Sequence, residues 1–126
     1  MTKTEKNLAE AFAGESQANR KYTSWARQAD AEGYTEVAEL FRSVAEGETA
    51  HALGHFNHMK GVKATAENLK KAVEGEKYEA NEMYPRMAKE AREEGLEEIA
   101  KWFEMVGAAE NTHVKAFEKV LSELEN

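Results

Sequence analysis

Apolar residues recur along the chain at alternating steps of three and four. Leu8, Ala11, Ala18, Tyr22, Trp25 and Ala29 make one stripe, and Val37, Phe41 and Val44 a second. Leu69, Ala72 and Met83 begin a third, and Ile99, Phe103, Val106, Phe117, Val120 and Leu124 complete a fourth. That period is the mark of a helix with one face turned inward. Gly33, Gly95 and the segment KGVKATAEN interrupt it, which predicts helices near 4–31, 34–59, 66–93 and 96–124. With one proline and abundant Ala, Glu, Lys and Leu, helix propensity is high almost throughout. The expected fold class is all-α, and four amphipathic helices bury their stripes most simply as a four-helix bundle.

Each stripe is broken by acid. Glu15 falls in step with the first, Glu48 and His51 with the second, Glu76 and Glu79 with the third, and Glu110 and His113 with the fourth. The pattern also repeats. AEGYTEVAELF (31–41) aligns with EEGLEEIAKWF (93–103), and AFAGE (11–15) with AVEGE (72–76). Val37, Phe41, Val44, Glu48 and His51 thereby match Ile99, Phe103, Val106, Glu110 and His113. The chain reads as a single domain, 1–126, made of two related helical hairpins, 4–59 and 66–124, joined by a linker at 60–65.

Composition narrows the chemistry. A chain of 126 residues with 41% hydrophobic content suits one domain with its own core. It has no cysteine, which excludes disulfides, thiolate catalysis and cysteine-bound iron within this sequence. The formal charge of −7, with no basic patch, argues against nucleic acid as a partner. The opening MTKTEKNLAEAF carries no apolar signal core and no stretch suits a bilayer, so the expected location is the cytoplasm, away from membranes.

Five carboxylates and two imidazoles at one depth of a helical core, with no lysine or arginine among them, require a cation. An unpaired buried charge costs several kcal/mol after relaxation, against a typical domain stability of about 5–15 kcal/mol. Oxygen and nitrogen donors without sulfur favour iron or manganese over magnesium, calcium or structural zinc. Seven ligands exceed the needs of one ion and suit two ions bridged by shared carboxylates. A Glu-x-x-Glu pair is common in this sequence and means little alone. Glu-x-x-His occurs at matching points of the repeat, with a core glutamate on each remaining helix, which is the arrangement of carboxylate-bridged di-iron and di-manganese bundles.

The residues carry a family resemblance as well. FAGESQANRKY (12–22), EGETAH (46–51), EGEKYEANEMYP (74–85), REEGLEEIA (92–100) and AAENTH (108–113) resemble the successive motifs of rubrerythrin, over nearly the whole chain. The resemblance implies a ferritin-like bundle holding two iron ions per site, Fe2+ or Fe3+, for which manganese or zinc can substitute, and a peroxidase that reduces hydrogen peroxide to water in oxidative-stress defence. It implies that Glu48 and Glu110 bridge the ions. Glu15 and Glu79 serve one, and Glu76 and His113 the other, with His51 exchanging for Glu79 on reduction. Glu79 is matched only by Ala18 in the first hairpin, so the two metal positions are expected to differ. Tyr22 and Tyr84 match positions just outside the ligands and are candidates to help deliver protons.

Rubrerythrins of the best-known type append a cysteine-bound iron domain that supplies electrons. The sequence ends at Asn126 without a cysteine, so electrons are expected from a separate rubredoxin-like protein or a flavoprotein. His55 and His58 fall near a helix end, where imidazoles complement the helix dipole, and with His51 they lack a fourth ligand for zinc. Pro85 is expected to kink the third helix just beyond Glu79 and to free the Asn81 carbonyl. Trp25, Trp102, Met59, Met83, Met87 and Met105 read as packing residues.

Connectivity points to a partner chain. The link from Met59 to Ala66 spans at most roughly 25 Å, whereas a helix of about 26 residues is near 39 Å long. It cannot return along a bundle, as ferritin-like topology requires. Either the chain is a plain up-down-up-down bundle, or its second hairpin completes the bundle of another copy in a homodimer; the exchanged dimer is the expectation. Glu15, Glu48 and His51 would then come from one chain and Glu76, Glu79, Glu110 and His113 from the other. Two other classes compete with a peroxidase: a ferroxidase, iron-handling or oxygen-reducing protein, and a metal-free helical interaction module. Glu79 and His51 together favour a retained redox centre.

Overall fold

The computed structural model describes residues Met1–Asn126 and is helical throughout, without strands. Five α-helices occur: α1 (Lys3–Ala31), α2 (Thr35–His58), α3 (Thr65–Tyr78), α4 (Tyr84–Glu93) and α5 (Glu97–Glu125). A π-helical turn, Glu79–Met83, joins α3 to α4, so the third predicted helix is one helical run in three parts. The chain divides into two compact units, Met1–Val62 and Lys63–Asn126. α1 packs on α2 in the first, and α5 packs along α3, the π turn and α4 in the second.

Local chemistry sets the helix ends. Thr2 and Glu5 form a reciprocal capping box at the start of α1, satisfying two otherwise free amides. Gly33 (φ 84°) and Gly95 (φ 79°) take the left-handed conformation at the two hairpin turns. Around Gly33, the Tyr34 amide donates to the Ala29 carbonyl at 2.8 Å and the Gly33 amide to Asp30 at 3.0 Å. Leu96 and Gly95 repeat these bonds to Ala91 and Arg92. Each turn is thus the same glycine-capped helix end, which explains why the repeat is legible there.

The anticipated disturbance near Pro85 takes a different form. Instead of a kink placed after Glu79, a π turn includes Glu79, and the Tyr84 amide reaches back to the Glu79 carbonyl. Pro85 brings no amide hydrogen to the first turn of α4, and the wider turn shifts the ladder by one residue ahead of it. Glu79 therefore lies in a locally rewound stretch that no other seam glutamate shares.

Packing within each hairpin runs along small residues. Ala26, Ala29, Ala38, Ala45 and Ala52 are buried in the first, and Ala88, Ala91, Ala100, Gly107 and Val114 in the second. The larger seam residues are half-open: Trp25 is 50% exposed, Val37 45%, Ile99 45%, Val120 50% and Leu124 53%. The sequence pattern predicted these as buried. Two helices close only along their line of contact, so the flanking apolar residues of each hairpin need a further layer to cover them.

Ion pairs tie the helices of each hairpin near its turn. Arg42 Nη1 lies 2.7 Å from Asp30 Oδ2 in the first, and Arg92 bridges Glu97 and Glu104 at 2.9 Å in the second. Asp30 and Arg42 align with Arg92 and Glu104, so the cross-helix pair is kept while its polarity is reversed.

Candidate metal centre

In the first hairpin, Glu15 from α1 meets Glu48 and His51 from α2. Their ligand atoms all lie within 4.8 Å of one another. His51 Nδ1 is 2.8 Å from Glu15 Oε1. Glu15 Oε2 is held by Nε2 of His55. Just along α1, Asn19 Nδ2 donates to the Ala45 carbonyl and to Thr49 Oγ1, each at 2.7 Å, which pins the two helices together one turn from Glu15. Burial pushes the Glu15 carboxyl up, but hydrogen bonds from His55 and His51, with a smaller one involving Glu48, hold it below its ordinary value.

The second hairpin brings together Glu76 from α3 with Glu110 and His113 from α5, again with ligand atoms within 4.8 Å of one another. His113 Nδ1 lies 3.5 Å from Glu76 Oε1 and 3.9 Å from Glu110 Oε2. Glu79 adds a further carboxylate to this group through its hydrogen bond with Glu110, which, with burial and the negative charges of Glu110 and Glu76, pushes it up to about 7. Glu76 is raised by the same contact with Glu110 and then by burial. Glu110, which accepts hydrogen bonds from both, is lowered. Without a cation, Glu76 and Glu79 are pushed toward their neutral forms beside the Glu110 carboxylate; a cation among them would favour the charged forms.

Glu76 Oε2 is buried with no hydrogen-bond partner. A buried carboxylate oxygen left unpaired is costly, and a metal ion is the partner that its neighbours, all glutamate and histidine, would suit. The residues present therefore fit the group inferred from the sequence. Six of the seven predicted ligands form two three-residue clusters at equivalent points of the repeat. The seventh, Glu79, adjoins the second cluster.

Tyr22 packs against Trp25 and Phe41, with ring centroids 5.7 and 5.9 Å apart. Tyr84 packs on Phe103 at 6.0 Å. His55 was assigned by sequence to the helix end. It does lie in the last turn of α2 with His58, yet its ring turns to Glu15. Its spacing held the clue: four residues after His51 and seven after Glu48, it shares their face of the helix.

The Rubrerythrin family model matches residues 6–121. The chain belongs to the rubrerythrin family. A rubrerythrin of Porphyromonas gingivalis is 38% identical over 138 residues, covering 99% of this chain and 69% of that protein. The rubrerythrin of Nitratidesulfovibrio vulgaris is 38% identical over 129 residues, covering 92% and 68%. A solved structure of nigerythrin, described as fully reduced and all ferrous, matches with a TM-score of 0.50 at 27% identity, covering 99% of this chain and 69% of that one. The fold is of the ferritin-like class. Rubrerythrin membership, together with the two glutamate–histidine clusters, supports a di-iron oxidoreductase in oxidative-stress defence. No helix is long and apolar enough to cross a membrane.

Proposed function

We propose that this chain is a non-haem di-iron peroxidase that reduces hydrogen peroxide to water with electrons from a separate donor protein. The observation that carries the reading is the pair of equivalent glutamate–histidine clusters, the second of which crowds Glu79 against Glu110 and leaves Glu76 Oε2 buried without a hydrogen-bond partner. Glu15, Glu48, His51, Glu76, Glu79, Glu110 and His113 would hold the two iron ions. When bound, the iron pair supplies the two electrons that cleave the O–O bond, and two protons complete two waters.

The chain's own residues manage charge and protons around that event. Glu79, its carboxyl raised to about 7 first by its contact with Glu110, would hold or release a proton at its carboxylate oxygen near neutral pH. His51, 65% exposed at its side chain, has the freedom to turn from Glu15 toward a metal in its place. Tyr22 and Tyr84 would relay protons from their hydroxyls. A rubredoxin-like protein or a flavoprotein provides the electrons.

The active form is a homodimer in which hairpins are exchanged, so that one chain gives Glu15, Glu48 and His51 and the other gives Glu76, Glu79, Glu110 and His113. Two features support it. The linker between His58 and Thr65 is too short to return along α2, and each hairpin leaves its larger seam residues half-exposed. Light scattering after size exclusion should give twice the chain mass, and a compact monomer that retains metal would exclude exchange. The activity is tested by mixing the anaerobic, ferrous-loaded protein with hydrogen peroxide or with oxygen. Faster oxidation by peroxide is expected, and equal or reversed rates would favour a ferroxidase or oxygen-reducing role.

A further inference from the structure

Glu15 and Glu76 hold matching places in the repeat, in AFAGE and AVEGE, yet their second oxygens differ in environment. Glu15 Oε2 faces Nε2 of His55. Glu76 Oε2 is buried without a hydrogen-bond partner. The sequence accounts for the difference. His51 and His113 are equivalent, but four residues further on, His55 of α2 is matched by Phe117 of α5, which has no hydrogen to donate.

His55 also stands apart from the ligand atoms themselves. The cluster within mutual reach comprises Glu15, Glu48 and His51 only. His51 approaches Oε1 of Glu15 with Nδ1 at 2.8 Å, while His55 takes Oε2. An imidazole nitrogen facing a carboxylate oxygen must carry the hydrogen, so His55 donates from Nε2. Its side chain is 30% exposed against 65% for His51, so it is the better enclosed of the two rings. Carboxylate ligands are commonly oriented by a hydrogen bond to an oxygen that does not hold the metal.

We propose that His55 is the positioning residue for Glu15. Its Nε2–H fixes Oε2, so a metal ion in the cluster would meet Glu15 at Oε1, on the side of His51, whereas no donor fixes Oε2 of Glu76. This rests on the reading of the two clusters as metal-holding. It makes one metal position rigid at its terminal carboxylate and the other adaptable, an asymmetry separate from that of Glu79.

The test is an anaerobic titration of the full chain with Co(II), followed by its visible absorption bands. His55→Phe makes the first hairpin like the second, and His55→Gln keeps an N–H donor. The unsubstituted chain should take up two cobalt ions. His55→Phe should weaken one of the two by about 10–100-fold and shift its bands, leaving the other unchanged. His55→Gln should restore that step to within a few-fold. Circular dichroism of the metal-free variants checks folding, and His55→Ala serves the same comparison if the phenylalanine variant does not fold. Unchanged affinity and spectrum on losing the imidazole, or equal weakening in His55→Gln, would overturn the assignment of His55 alone. Failure of the unsubstituted chain to bind cobalt would instead overturn the metal reading beneath it.

Discussion

The two hairpins share a pattern and solve opposite electrostatic problems. In the first, one carboxylate, Glu15, lies between two imidazoles and is stabilised as an anion without any metal. In the second, Glu76, Glu79 and Glu110 crowd beside one imidazole, and Glu76 and Glu79 are pushed toward their neutral forms. The first half pairs its terminal carboxylate with imidazoles, whereas the second sets carboxyl groups against one another, where a cation would relieve the crowding. Metal loading should therefore act chiefly through the second hairpin, by exchanging protons for positive charge.

The sharpest way to break this contrast is at Glu110, the acceptor common to Glu76 and Glu79. Glu110→Gln should lower metal affinity by on the order of 100-fold or more and remove peroxide-dependent oxidation of the ferrous protein, measured by metal analysis and stopped-flow absorbance. Near-normal metal content in that variant would mean that the second cluster is not the charge-dependent half. Next in size is the effect of metal on stability. Fe(II) at about 1,000 times its dissociation constant should add about 4 kcal/mol to unfolding free energy in anaerobic urea melts, and a chelator should reverse it.

The metal-free protein offers a pH test whose sign differs between the halves. Glu79 is raised from 4.5 to about 7 in the folded state, so between those values the folded chain holds a proton that the unfolded chain has lost. Stability from this group is then greatest at low pH and falls as pH rises through about 7. Glu15 is lowered, so its contribution is present above the ordinary carboxylate value and is lost as pH falls through its depressed one. Urea melts with chelator should show Glu79→Gln flattening the decline toward neutral pH, and leaving the acid limb in place. If the substitution leaves the decline unaltered, crowding at Glu79 is not its source.

Smaller effects test the packing that brings each cluster together. A Cβ at Gly107 would meet the Cβ of Tyr84 at 3.2 Å, so Gly107→Ala requires Tyr84, beside the π turn, to give way slightly. Overpacking of this kind, less the gain in helix propensity, should cost about 1 kcal/mol in thermal melts. Least of all, Arg42→Ala and Arg92→Ala remove the exposed ion pairs of opposite polarity. Each should lower the thermal midpoint only slightly, with the doubly bridged Arg92 the larger.

Much of this was legible in residue order. Helix periodicity, the glycines at 33 and 95, and the repeat gave four helical stretches and two hairpins, because those signals are local and each hairpin folds about its own turn. Matching Glu-x-x-His pairs gave both clusters, since residues three apart on a helix share a face. His55 does lie at the C-terminal end of α2, as its position indicates, but its contact with Glu15 is not legible in residue order. Only the approach of α1 shows that Glu15 is within its reach.

The sequence by itself determined that the chain forms helices, where they turn, and that acidic and imidazole side chains share their inward faces. Tertiary packing alone decided which oxygen of each glutamate finds a donor. It left Glu76 Oε2 without one and gave Glu15 Oε2 to His55. Only packing, too, showed Glu79 within a π turn and pressed on Glu110. The reason is that periodicity specifies the face on which a side chain lies, whereas proton affinity depends on ångström-scale distances to atoms from another helix.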